Sequence, residues 1–183
     1  VRGSPDVYLR DAPKVTMVTV FKYLDGGKIA EGSAGGFGVE GAVAWKKLFF
    51  QGEACDVLVN SSVSSEFQKM NFHGWYGQLG YTINGSPRAW KARSAAFSSP
   101  SCNTNQTVLC NGYGVLEVAA RYSEVDLQAG QVEGGNQQTG TLVMNWWPTS
   151  ILRMTLQYEY GQITGGNNPE RFHAIMSLFQ VKF

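Results

Sequence analysis

Apolar and polar residues alternate along this chain with a period of two. Leu152, Met154, Leu156, Tyr158 and Tyr160 share one parity, and Arg153, Thr155, Gln157 and Glu159 share the other. The same pattern sets Leu116, Val118, Ala120 and Tyr122 against Glu117, Ala119, Arg121 and Ser123. It sets Leu142, Met144 and Trp146 against Thr141, Val143 and Asn145. Trp75, Leu79, Tyr81 and Ile83 oppose Tyr76, Gln78, Gly80 and Thr82, and Phe37, Val39, Val43 and Trp45 oppose Gly38, Glu40, Ala42 and Ala44. A period of two puts successive side chains on opposite faces of an extended strand. Helical spacing is nearly absent, and the scattered glycines suit bends in a curved sheet. The pattern predicts an all-β fold.

A last strand is predicted from about Arg171 to Phe183, with Ile175, Ser177, Phe179, Val181 and Phe183 on one parity and Gln180 and Lys182 on the other. An alternating strand closed by Phe fits a transmembrane antiparallel β-barrel, where one face meets lipid and the other a polar lumen. Lys46-Lys47 and Pro148-Thr149-Ser150 read as tight turns, whereas Asn60 to Lys69, Gln128 to Asn136 and Thr164 to Glu170 read as longer polar loops. Outer-membrane barrels have short periplasmic turns and longer outer loops. With a less regular strand near Val15 to Tyr23, about eight spanning strands result. Residues 84–111 must then be one long periplasmic connection or contain a strand pair. Trp45, Trp146, Phe179 and Phe183 fall toward the periplasmic strand ends, and Phe37, Tyr122, Tyr158 and Tyr160 toward the outer ends, as two interfacial belts require.

Composition removes competing classes. The chain has 183 residues, 43% hydrophobic and 16% charged, and reads as a single domain, 1–183. No stretch approaches the roughly 18 apolar residues of a spanning helix, so a membrane reading has to be a barrel. A net charge of +1 lacks the basic stripe of a nucleic-acid binder. His73 and His173 are the only histidines, and His173 with Ser177 is merely a pair on one strand face, not a nucleophile held by a base and an orienting group. The reading is of a protein that is not an enzyme and uses no metal or other cofactor. Cys102 and Cys110, in a loop rich in Ser and Asn, form a candidate disulfide for an oxidising periplasm. The chain opens on Val1 without Met or signal sequence, which fits either a removed signal peptide or further sequence upstream.

Three stretches resemble the phosphate-selective porin O/P family of Gram-negative outer membranes: Gly74 to Phe97, Gly114 to Leu127 and Thr141 to Tyr158. The run Glu117 to Ser123, E-V-A-A-R-Y-S, resembles the family's W-E-L-A-A-R-Y-S strand most specifically. Ile83-Asn84-Gly85-Ser86 lacks the acidic residue of the family's turn, and Trp90 stands where the family has Tyr. The resemblance implies a homotrimer in outer-membrane lipid with small anions (phosphate, pyrophosphate) as solute. It also implies the carboxyl-terminal half of a barrel of about sixteen strands.

On that reading the lumen-facing residues are Glu40, Glu53, Glu117, Arg121, Arg153, Gln157 and Glu159. They can brace the wall as cross-strand pairs or meet solute directly. Arg88, Lys91 and Arg93 are the anion-binding candidates, because 84–111 contains no acidic residue and Arg engages phosphate bidentately. The segment either folds into the lumen or forms a solvated basic turn. Two other readings keep the strands and change the function. One is a small closed eight-stranded outer-membrane barrel with a structural or enzymatic role. The other is a soluble lipocalin-like binding barrel, with apolar residues inside.

Overall fold

The computed structural model describes residues 7–11, 24–29, 32–63, 66–91, 93, 96–130, 132–165 and 170–182. Phe183 and the candidate strand near Val15 to Tyr23 lie outside them. In chain order the strands are β1 (Val7–Asp11), β2 (Leu24–Ile29), β3 (Gly32–Trp45), β4 (Leu48–Val63), β5 (Glu66–Thr82), β6 (Trp90–Lys91), β7 (Ala96–Phe97), β8 (Val115–Ala129), β9 (Val132–Trp147), β10 (Leu152–Thr164) and β11 (Glu170–Val181). Seven form one antiparallel sheet in the order β11-β10-β9-β8-β5-β4-β3, while β1-β2 and β6-β7 are separate two-stranded ribbons. Every neighbour in the large sheet is also the next long strand in sequence, as in an up-and-down barrel wall. Among the described residues β3 and β11 are its edges.

The register turns sequence parity into two faces. One cross-strand row runs Phe50, Leu79, Ala120, Leu142, Tyr158, Ile175, and its neighbour runs Leu48, Tyr81, Val118, Met144, Leu156, Ser177. These rows are solvent-exposed: Ile175 is 77% exposed and Leu142 60%. The opposite rows run Gln51, Gln78, Arg121, Thr141, Glu159 and Thr82, Glu117, Asn145, Thr155. Here Thr82, Glu117, Thr141, Asn145 and Glu159 are buried. Large apolar side chains lie outside and polar ones inside, the opposite sign to a soluble binding barrel. Along edge strand β3 both faces are exposed.

The apolar band has limits. On the outward parity of β8 it runs from Leu116 to Tyr122 and then gives way to Glu124 and Asp126; on β9 it runs from Trp146 back to Leu142, beyond which lie Gln138 and Asn136. At about 3.3 Å per residue the β8 run is roughly 20 Å along the strand and the β9 run roughly 13 Å, shorter than the roughly 25 Å apolar band of an outer-membrane barrel. Trp75 and Tyr122 meet at its upper edge with ring centroids 5.5 Å apart, and Tyr160 and His173 at 5.0 Å.

The strands continue past that edge, which corrects two expected loops. β4 runs to Val63 and β5 starts at Glu66, so most of Asn60 to Lys69 is strand. β8 reaches Ala129 and β9 begins at Val132, so most of Gln128 to Asn136 is strand as well. Within Thr164 to Glu170, residues 166–169 lie outside the described set. In these extensions the polarity reverses. Asn60, Lys69, Asn71, Asp126 and Gln128 take the outward parity, while Val59, Met70, Phe72, Leu127 and Ile163 pack into a buried cluster on the inner face. That cluster stabilises the extended hairpins beyond the apolar band. β2 packs against β9 and β8.

Candidate functional site

The register puts all seven sequence-selected wall residues on one face. Glu40 pairs with Glu53, Arg121 with Thr141, Thr141 with Glu159, and Gln157 and Arg153 keep the same parity on β10. A cavity of about 390 Å³ opens on this face, lined by Glu53, Gln78, Arg121, Thr141, Gln157 and Glu159 among others. The Arg121 guanidinium lies 3.8 Å from the centroid of the Tyr76 ring, and its Nε has no hydrogen-bond partner. Tyr76 in turn accepts a 3.0 Å hydrogen bond at its hydroxyl from Gln51. Glu40 and Glu53 face each other as like charges in exposed positions, where water screens their repulsion.

The connection 84–111 returns onto the same face. Asn84 starts it by standing in for a ladder residue: its Nδ2 donates to the Gly114 carbonyl (2.7 Å) and its Oδ1 accepts from the Leu116 N–H (2.7 Å). The ribbon β6-β7 then pairs Trp90 with Phe97, their rings 5.2 Å apart, and Phe97 packs 5.3 Å from Phe49. Phe49 in turn covers its cross-strand partner Gly80, where any Cβ would collide with the Phe49 ring. This is the aromatic-over-glycine device that fills a gap in a sheet. At its far end the connection is tied to the β9-β10 turn, with Val108 N–H and the Thr107 hydroxyl both donating to the Pro148 carbonyl.

The three anion candidates separate. Arg88 donates from Nε to Glu117 Oε2 (2.5 Å) and from Nη2 to Oε1 (2.7 Å), lies 4.9 Å from the Phe49 ring and 5.9 Å from Trp147. Glu117 is fully buried and also accepts from Asn145 Nδ2 at 3.0 Å. Arg88 is therefore neutralised in place. Arg93 is exposed. Lys91 borders a second cavity, of about 560 Å³, that also takes in Arg153 and Lys182. Sequence spacing did not single out Lys182 or Asn145; only the register brings them to Arg153.

The thiols are not bridged. Cys102 and Cys110 are both free; Cys102 borders the second cavity, and Cys110 ends a short 3-10 turn held by Thr107. Among the described residues no group of His, Cys, Asp and Glu is arranged to hold a metal ion.

A family model for phosphate-selective porins O and P matches residues 4–183. The chain belongs to the phosphate-selective porin O and P family. An uncharacterized protein of Caulobacter vibrioides is 29% identical over 107 residues, which cover 57% of this chain and 21% of that relative. The chain thus spans a minor part of the relative's length. Membership of this porin family agrees with the exposed apolar rows and the polar inner face, and it accounts for the absence of a long apolar helix among the described residues.

Proposed function

We propose that this chain is part of the wall of an outer-membrane diffusion channel for small anions of the phosphate class. The observation that carries the reading is the sign of the alternation. Leucine, methionine and tyrosine side chains face outward in one band, while glutamate, arginine, threonine and asparagine are turned inward. A hydrated solute then passes along groups that replace part of its water, with wall charges biasing which ions enter. Residues 84–111 enter the lumen at the end carrying the short turns, anchored by Arg88. The seven wall residues line the path, and the complete barrel has about sixteen strands and assembles as a trimer in outer-membrane lipid. A channel, not catalysis, is what this family membership supports.

The test is electrical. The whole protein that carries this chain, refolded in detergent and added to planar bilayers, should give stepwise currents in potassium chloride. Its reversal potential in a salt gradient should show anion preference, and phosphate should reduce chloride current. Absence of current steps would overturn the reading.

A further inference from the structure

The cavity of about 390 Å³ on the inner face falls in the size range of small-molecule sites, and its charges do not balance inside the protein. Of the described residues that line it, Glu53 and Glu159 are acidic and Arg121 is basic. Register places Arg121, on β8, between the two acids, with β9 intervening toward Glu159 on β10 and β5 intervening toward Glu53 on β4. The ion pairs among the described residues are His73–Asp126 and Arg88–Glu117. None of the three cavity charges is neutralised in place.

Tyr76 keeps Arg121 and Glu159 apart. The guanidinium lies 3.8 Å from the centroid of its ring, and β5 is on the far side of β8 from β10, so the stacking draws the cation away from the acid. Arg121 Nε is left without a hydrogen-bond partner. Glu159 is buried, at 7% exposure, and its carboxylate accepts from the neutral amide of Gln157 at 3.2 Å. A buried carboxylate served only by an amide is short of positive charge. Gln137, also 7% exposed, donates from Nε2 to the Thr139 hydroxyl at 3.2 Å, while its Oε1, in the same lining, has no partner. The site therefore calls for an anion at Arg121 and for N–H donors, one of them cationic, at Glu159 and Gln137.

We propose that this cavity binds a small zwitterion of the amino-acid class, with its carboxylate on Arg121 and its ammonium on Glu159. Strands lie about 4.8 Å apart and side chains stand roughly perpendicular to the sheet, so the two residues are about 10 Å apart across β9. A solute with charges about 3 Å apart, making a bond of about 2.8 Å at each end, spans most of that gap. Glu53, exposed on the other side of Arg121, adds to the preference for a positive group. The site goes beyond the phosphate-class reading and shares with it only the inward assignment of this face. A phosphate here would meet two acids for one base.

The test titrates the whole protein that carries this chain, folded in detergent, with glycine, N-acetylglycine, glycine amide and glucose, read by calorimetry. Glycine should bind on the order of tenfold more tightly than either blocked form, since each of those lacks one charge-assisted contact. Glu159→Gln should lower glycine affinity on the order of tenfold and remove its advantage over N-acetylglycine. Arg121→Gln should remove its advantage over glycine amide. The solute series needs no substitution, so it decides the matter even where a wall variant fails to fold. Equal binding of glycine and N-acetylglycine, or of glycine and glycine amide, would overturn the two-ended site. Glucose binding more tightly than glycine would overturn it as well, in favour of a site for neutral hydroxyls. Unchanged glycine affinity in folded Glu159→Gln would put the binding elsewhere and also overturn it. Planar-bilayer recordings keep this separate from the channel: glycine binding without chloride current removes the channel reading and leaves the site, and chloride current without glycine binding does the reverse.

Discussion

Arg88 and Glu117 form a two-bond ion pair between the start of the 84–111 connection and the inner face of β8. The pair joins a segment with no acidic residue to a fully buried carboxylate. Isolated, that carboxylate would be costly to hold away from water. Removing one partner should therefore hurt more than removing both. Arg88→Ala or Glu117→Ala should each lose about 3–5 kcal/mol, and the double substitution less than their sum. Urea titration of the refolded protein measures all three, and additive losses would mean that the pair is not a coupled unit.

Thr141 and Leu142 are adjacent in β9 and point to opposite faces. Leu142→Arg puts a guanidinium at the end of the outward apolar band on β9 and should cost about 1–2 kcal/mol, between the interfacial and midplane ranges for a barrel. Thr141→Arg adds a cation to the polar cavity and should chiefly move the reversal potential toward anions. Unfolding in lipid vesicles and bilayer recordings separate the two effects. Equal destabilisation would contradict the assignment of faces.

Asn71 and Phe72 test the polarity reversal above the band. Phe72 is buried in the inner cluster with Val59, Met70, Leu127 and Ile163, while Asn71 is exposed. Phe72→Ala should cost about 3–5 kcal/mol, and Asn71→Ala should stay within about 0.5 kcal/mol. Thermal unfolding of the refolded protein gives both values, and a neutral Phe72→Ala would mean that this cluster does not brace the hairpins.

Cys55, Cys102 and Cys110 are all free thiols. Alkylation of the folded protein without reductant should tag all three, as read by mass spectrometry. Burial pushes the Cys102 thiol above its ordinary pKa, so less thiolate is present at neutral pH. Labelling of Cys102 should speed up as pH is raised through the alkaline range. A recovered Cys102–Cys110 disulfide peptide would refute this arrangement.

The antiparallel all-β architecture and the assignment of faces could be read from residue order because a pleated strand has a fixed period. Parity at Glu117, Arg121, Arg153 and Glu159 carries through directly into space. Asn60 to Lys69 and Gln128 to Asn136 have the composition of loops yet are mostly strand, because the outward face there is polar and the inward face apolar. Polar outward residues there look like loop composition until Val59, Met70 and Leu127 are seen packed together.

By itself the amino-acid order determined the β-period, the lipid-compatible band and the family-like Glu117 to Ser123 strand. All of these depend on neighbours one or two positions apart. Only the tertiary structure decided that Arg88 is matched by Glu117, that Asn145 bridges Glu117 and Arg153, and that Lys182 joins Lys91 at one cavity. Asn145 and Arg153 are eight positions apart and the other partners tens of positions apart, and the register of the sheet with the returning 84–111 connection is what brings them to one face.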